Sequence, residues 1–244
     1  MEQKNKINSE EKRGLDRRGF ISASSLAAIG AIGTAGLLHS CSGKPKKPEL
    51  KLPVLLNQAP DGKVLKAGLI GCGGRGTGAA INFLDAGPNL EIAALGDVFK
   101  DKLDQCREQL KKQKNVEVPD EKCFVGFDSF EKVIDSGVDI VLLTTPPHFR
   151  PAHVEAAVNA GKHIFMEKPI AVDPVGARKV MVAAKRAAEK ELSMVSGTIR
   201  RVQKDFMETQ RRVASGQIGD IVSAHIIRNG GSLWVIQRQP GWSD

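Results

Sequence analysis

Beyond residue 60, short apolar runs alternate with longer segments in which apolar residues recur every three or four positions. Such runs are typical of buried strands, and the wider spacing is typical of amphipathic helices. The predicted strands are 67–70, 91–96, 123–126, 138–144, 163–166 and 192–196. The predicted helices are 74–86, 100–114, 129–136, 151–160 and one that begins at Pro174 after the capping residue Asp173. This alternation predicts an α/β fold, a Rossmann-type doubly wound parallel sheet.

The first predicted strand ends at a glycine-rich turn, where Gly71, Gly73 and Gly76 fit the pattern G-x-G-x-x-G. The first glycine permits a tight turn, the second lets backbone N–H groups approach a pyrophosphate, and the third lets helix and strand pack closely. The helix N-terminus that follows favours negative charge. Asp97 ends the second strand, near the position expected for a ribose-binding carboxylate. These residues favour a dinucleotide site over an ordinary strand-to-helix turn.

The composition is that of a globular protein, with 41% hydrophobic and 26% charged residues in 244. The net charge of +8 comes largely from Lys/Arg pairs such as 111–112, 200–201 and 211–212. Without interleaved aromatic residues, such pairs are typical of solvated helix faces and do not indicate a nucleic-acid partner. No metal-ligand spacing is present, and the three cysteines after position 41 give no evidence of a disulfide framework.

The first forty residues are interpreted as an export signal outside the fold. The sequence DRRGFI at 16–21 matches the twin-arginine pattern, and a mildly apolar segment rich in small residues follows. Its small and hydroxyl-bearing residues argue against a permanent membrane span. The sequence LHSC at 38–41 resembles a lipoprotein box, so Cys41 is the expected lipidation site; cleavage by ordinary signal peptidase is the alternative. Residues 41–63 form a proline-containing tether, and the predicted location is the periplasm, on a membrane.

Three stretches carry a family resemblance: GLIGCGGRG at 68–76, TTPPHFRPAHVEAAVNAGKHIF at 144–165, and MEKP at 166–169. Together they resemble the glucose-fructose oxidoreductase and inositol dehydrogenase family, called Gfo/Idh/MocA, over about residues 66–224. The resemblance implies that the three glycines hold the pyrophosphate of NAD and that Asp97 holds the adenosine ribose. It also implies a nicotinamide-side group comprising Thr145, Pro146, His148, Glu167 and Lys168.

Within that group, the resemblance makes Lys168 the catalytic lysine, places Glu167 near the nicotinamide ribose, and puts an often-cis peptide bond before Pro169. Oxidising a carbinol transfers hydride to nicotinamide and removes a hydroxyl proton, for which a lysine in a partly desolvated cleft is suited. The alternative is that Lys168 only pairs with Glu167 or another carboxylate. His148 either contacts the cofactor or satisfies backbone groups, and His153 is interpreted as structural.

The predicted function is hydride transfer between NAD and a sugar or sugar-like polyol. NAD is expected rather than NADP because Asp97 is followed by no arginine, although Lys100 is close. One alternative is an NAD-dependent glycoside hydrolase of the N-acetylgalactosaminidase type, which oxidises its sugar transiently. The other is a lipid-anchored binding protein that retains a nucleotide structurally.

The expected domains are a dinucleotide-binding domain at 64–197 and the start of an α+β substrate-binding domain at 198–244. An apolar strand is predicted at 221–227, and too few residues follow it to form a sheet. The chain is therefore expected to be an N-terminal fragment or a truncated gene product, and the full-length protein a homo-oligomer. The loop GTIRRV at 197–202 departs from the G-T-Q-R-R-H of related exported members, which leaves substrate contacts there undefined.

Overall fold

A computed structural model describes residues 62–227, 229–231, 235, 237–238 and 240–241. These residues belong to one compact unit, 50–244. The predicted export signal, Cys41 and the tether up to residue 61 lie outside the described residues. Within the described part of the chain, no helix is long and apolar enough to cross a membrane.

Six parallel strands form one sheet in the order β3-β2-β1-β4-β5-β6. The strands are β1 Leu65–Ile70, β2 Leu90–Asp97, β3 Cys123–Val125, β4 Ile140–Leu143, β5 His163–Met166 and β6 Met194–Ser196. The strand order reverses between β1 and β4, and ligands of such sheets bind in the crevice at the carboxyl ends of the strands there. The predicted doubly wound parallel sheet is confirmed.

The helices that follow the strands are α1 Gly74–Leu84, α2 Lys100–Lys114, α3 Ser129–Asp135, α4 Arg150–Asn159, α5 Pro174–Glu189 and α6 Lys204–Ala214. The predicted start of α5 is confirmed: Asp173 Oδ1 accepts a hydrogen bond from the N–H of Gly176 at 2.6 Å, and Pro174 is the first helical residue. The sequence pattern did not predict α6, which has no buried residue.

The core lies on both faces of the sheet, because adjacent residues of a strand point to opposite faces. Ile70 and Val141 belong to the cluster that also contains residues of α3, α4 and α5. Their neighbours Leu69 and Leu142 belong to the cluster that contains residues of α1 and α2. This two-sided burial explains why the strands are continuous apolar runs.

The strand predicted at 221–227 is wrong: the structure assigns no strand to these residues. Val222 and Ile226 are 96% and 92% exposed. A strand needs a neighbour that satisfies its backbone groups, and no described residue pairs with this segment. A second domain at 198–244 remains a prediction.

Candidate active site

A cleft of about 800 Å³ opens at the carboxyl ends of β1 to β5. Residues from the five loops that follow these strands line it. Seven of them are predicted site residues: Gly71, Gly73, Asp97, Thr145, Pro146, Glu167 and Lys168. The sheet topology therefore brings most of the predicted site to one crevice, at the place where the strand order reverses.

Each of the three positions in the turn is occupied by glycine for a different structural reason. Gly71 has a φ of +98°, and a Cβ there would lie 2.8 Å from the backbone nitrogen of Thr145. A Cβ on Gly76 would lie 1.8 Å from the carbonyl oxygen of Gly71, so Gly76 permits the close approach of α1 to the turn. A Cβ on Gly73 would meet no atom within 4 Å. Gly73 thus leaves open space beside the N-terminus of α1, where a pyrophosphate fits.

Two backbone hydrogen bonds fix the carboxylate of Asp97 at the end of β2. Its Oδ2 accepts from the N–H of Cys72 at 2.6 Å, and its Oδ1 accepts from the N–H of Phe99 at 2.9 Å. The first bond joins Asp97 directly to the glycine turn. Each carboxylate oxygen keeps a further lone pair, so Asp97 can still accept hydrogen bonds from ribose hydroxyls.

Glu167 is 8% exposed and forms an ion pair with Arg75, a residue of the glycine turn. The Nε and Nη2 atoms of Arg75 lie 2.8 and 2.7 Å from Oε1 of Glu167. A Cβ on Gly197 would lie 3.1 Å from both oxygens of this carboxylate. The pair links the turn after β1 to the end of β5. Sequence reasoning did not select Arg75, although it lies inside the G-x-G-x-x-G pattern.

Lys168 lines the cleft and is exposed, and its peptide bond to Pro169 is cis, as the resemblance implies. The partly desolvated cleft expected around Lys168 remains a prediction. Among the described residues, no carboxylate lies within ion-pair distance of Lys168. Glu167, the partner in the alternative interpretation, pairs with Arg75 instead.

Two predicted residues do not line the cleft. Gly76 is buried beneath the turn, consistent with its packing role. His148 is exposed, and its ring makes an edge contact with Phe149 at a centroid distance of 5.2 Å. A contact between His148 and the cofactor remains a prediction.

Two of the residues that line the cleft are buried and basic: Arg150 and His153 are 2% and 6% exposed. Burial lowers the pKa of Arg150. Burial, together with the charge of Arg150, lowers the pKa of His153 to about 4, so its imidazole is neutral at pH 7. The His153 ring stacks on Phe130 at 4.3 Å, and its Nδ1 lies 3.3 Å from Oγ1 of Thr145. These contacts agree with the structural role predicted for His153.

Arg150 was missed by sequence reasoning. The available signal was an arginine between the apolar Phe149 and Pro151 in the segment that follows a buried strand. A charged side chain there is expected to point to solvent, and only the three-dimensional packing shows that it turns inward.

Several relatives resemble the chain in sequence. Inositol 2-dehydrogenase 1 of Saccharopolyspora erythraea is 32% identical over 107 residues, which are 43% of this chain and 31% of that protein. The scyllo-inositol 2-dehydrogenase (NAD(+)) of Bacillus subtilis is 25% identical, over 64% of this chain and 42% of that one. A glycosyl hydrolase family 109 protein of Shewanella pealeana is 25% identical, over 88% of this chain and 47% of the relative.

Among solved structures, scyllo-inositol dehydrogenase from Lactobacillus casei, with bound NAD(H) and scyllo-inositol, is similar to this chain with a TM-score of 0.53. It is 28% identical, and the match covers 65% of this chain and 43% of that one. The chain spans less than half the length of the relatives it matches. Residues 65–195 match the family described as "Oxidoreductase family, NAD-binding Rossmann fold". The chain belongs to this family, Gfo/Idh/MocA.

Proposed function

We propose that the whole protein is an oxidoreductase that transfers hydride between NAD and a sugar or sugar-like polyol. The observation that supports this most directly is that Lys168 lines the same cleft as the glycine turn and Asp97. A proton-accepting amine therefore shares one crevice with the groups suited to a dinucleotide. The inositol dehydrogenases among the relatives favour a polyol substrate, since inositol is a cyclic polyol.

Each group of predicted site residues has a proposed task. Gly73 and the N-terminus of α1 hold the pyrophosphate, and Asp97 holds the adenosine ribose. Thr145, Pro146 and His148 lie beside the nicotinamide half, and Glu167 lies near its ribose. The bound cofactor supplies hydride acceptance and donation. Lys168 acts as the general base that takes the substrate hydroxyl proton during oxidation, and it returns that proton during reduction.

Substitution of Lys168 tests this proposal. Lys168→Ala in the complete protein is expected to reduce polyol-dependent NADH formation by about 100-fold or more, the usual range for loss of a general base. The assay follows NADH absorbance with a panel of inositols and monosaccharides. Lys179→Ala, which changes an exposed lysine of α5, is the matched control and should keep full activity. Equal activity of the two variants would contradict the role of Lys168.

An NAD-dependent glycoside hydrolase of the N-acetylgalactosaminidase type is the second candidate. Two family 109 glycosyl hydrolase relatives match 88% of the chain, whereas inositol dehydrogenases of Bacillus subtilis and Salmonella paratyphi B match 64% and 66%. Such an enzyme oxidises and then reduces the same sugar, so it releases an aglycone without net NADH. Aglycone release from an N-acetylgalactosaminide without free NADH would favour this candidate, and steady NADH formation would favour the dehydrogenase.

The proposed cofactor preference is NAD over NADP. The fixed carboxylate of Asp97 would repel a 2′-phosphate on the adenosine ribose. Lys100, the nearby cation considered from sequence, pairs with Asp104 at 2.6 Å. Lys102, a second cation of α2, lines the cleft. Calorimetric affinities for NAD and NADP measure the preference, and equal or tighter binding of NADP would contradict it.

The proposed location is the periplasm, on a membrane, after twin-arginine export and lipidation of Cys41. The motifs at 16–21 and 38–41 support this proposal. Because that route exports folded proteins, the enzyme should leave the cytoplasm with its nucleotide bound. Cys41→Ser is expected to move the protein from the membrane fraction to the soluble periplasm. We also propose that the full-length protein is a homo-oligomer, which sedimentation velocity would measure.

A further inference from the structure

A buried guanidinium connects two loops that border the cleft. Arg150, the first residue of α4, is 2% exposed and donates hydrogen bonds to the carbonyl oxygens of Thr145 and Pro169. Thr145 lies in the segment after β4, and Pro169 follows Lys168 after β5. One side chain therefore joins the segment proposed to lie beside the nicotinamide to the turn that carries the proposed catalytic amine.

This arrangement is unfavourable for stability alone. The Nε atom of Arg150 is buried without a hydrogen-bond partner among the described residues. Within the same residues, no carboxylate lies within ion-pair distance of the guanidinium. A buried charge with an unsatisfied donor costs free energy, and an apolar side chain would fill the same space without that cost. What the guanidinium supplies is a rigid fork that reaches two carbonyl groups at once.

The adenosine half of the cleft is held by other contacts. The N–H of Cys72 donates to Asp97 at 2.6 Å, and the hydroxyl of Thr144 donates to the carbonyl of Gly71 at 2.6 Å. Neither contact involves Arg150. A change at Arg150 should therefore affect the two halves of the cleft unequally.

We infer that Arg150 is a positioning residue for the nicotinamide half of the cofactor site. It lines the cleft and sets the separation between Thr145 and the turn of Lys168 through hydrogen bonds to their backbone carbonyls. This inference rests on the proposed function, because it presumes that a nicotinamide occupies that half. It predicts a selective loss of affinity for ligands that carry the nicotinamide ring.

The test compares NADH with ADP-ribose, which lacks only that ring. Arg150→Lys and Arg150→Met are made in the full chain, and calorimetry measures the affinity for each ligand. NADH binding is expected to weaken about tenfold in both variants, which is about 1.4 kcal/mol. The affinity for ADP-ribose should change by less than about twofold, because this ligand has no nicotinamide ring to position. The fluorescence increase of bound NADH should also fall, since its nicotinamide is no longer held in place.

Lysine keeps the positive charge but cannot reach both carbonyls, so Arg150→Lys should not restore NADH binding. Arg186→Lys is the control, because Arg186 pairs with Glu155 across α4 and α5 and does not line the cleft. Unchanged NADH affinity in Arg150→Lys would overturn the inference. Equal weakening of NADH and ADP-ribose would also overturn it, since that result indicates a general loss of structure.

Two further outcomes separate the inference from the proposed function. If Arg150→Met does not fold, Arg150→Lys decides the question, and its ADP-ribose affinity reports whether the cleft is intact. If the unmodified chain binds neither ligand, the proposed function falls and the inference falls with it. If the unmodified chain binds NADH and the variants bind it equally well, only the inference falls.

Discussion

Two identical substitutions in the glycine turn should have different consequences. Gly76→Ala places a Cβ 1.8 Å from the carbonyl oxygen of Gly71 and 2.7 Å from Oγ1 of Thr144. Because the first contact is with backbone, α1 must move away from the turn. Overpacking of this kind costs about 1–3 kcal/mol of unfolding free energy. We therefore expect Gly76→Ala to be clearly destabilised.

Gly73→Ala should leave stability unchanged. A Cβ there meets no atom within 4 Å, and the backbone φ of −64° suits any residue. The expected change is within about 0.5 kcal/mol, because the substitution is on an open surface. The added methyl group nevertheless stands where the pyrophosphate is proposed to approach the backbone. NADH affinity should fall about tenfold or more, equivalent to at least about 1.4 kcal/mol.

Urea unfolding followed by circular dichroism measures the stability of both variants, and calorimetry measures NADH binding. Each variant is the control for the other, since both add one methyl group to the same turn. Wild-type NADH affinity in Gly73→Ala would refute the placement of the pyrophosphate. Wild-type stability in Gly76→Ala would refute the packing reason given for that glycine.

Two further predictions concern charge. The pKa of His153 is lowered from 6.5 to about 4, so the unfolded chain binds a proton that the folded chain does not bind at intermediate pH. The free energy of unfolding therefore keeps its full value above about pH 6.5. It falls by up to about 3 kcal/mol as the pH is lowered toward 4. Urea unfolding at several pH values measures this slope, which His153→Phe should flatten; a slope equal to that of wild type would contradict the assignment. Asp97→Ser should lower the preference for NAD over NADP, measured as the ratio of the two affinities, by about tenfold, or about 1.4 kcal/mol. Calorimetry measures both affinities, and an unchanged ratio would show that Asp97 does not select the cofactor.

Much of the fold follows from sequence because each strand is buried on both faces and is therefore a continuous apolar run. β5 has the predicted bounds, and the other strands differ from prediction by a few residues at their ends. Helix α6 was missed because it contributes no buried residue to the core. The strand predicted at 221–227 failed because apolar patterning reports the preference of a segment and cannot supply the neighbour with which it must pair.

The candidate site was predictable in part from the strand-turn-helix pattern and in part from the family resemblance. The glycine turn and Asp97 follow from the pattern, the nicotinamide-side residues came from the resemblance, and seven of the predicted residues line the cleft. Side-chain partners do not follow in this way. Arg75 and Glu167 are 92 positions apart, and Arg150 and Pro169 are 19 apart. Nothing in the local pattern indicates that these groups meet.

The ion pair between Arg75 and Glu167 also limits how this sequence can evolve. Gly197 does not have a left-handed backbone, so its own conformation would accept other residues. Its restriction comes from the carboxylate of Glu167, whose two oxygens would lie 3.1 Å from any added Cβ. A larger residue at 197 therefore requires the carboxylate of Glu167 to shift by a few tenths of an ångström, which disturbs its ion pair with Arg75. Among homologous sequences, the residues at positions 75, 167 and 197 should covary.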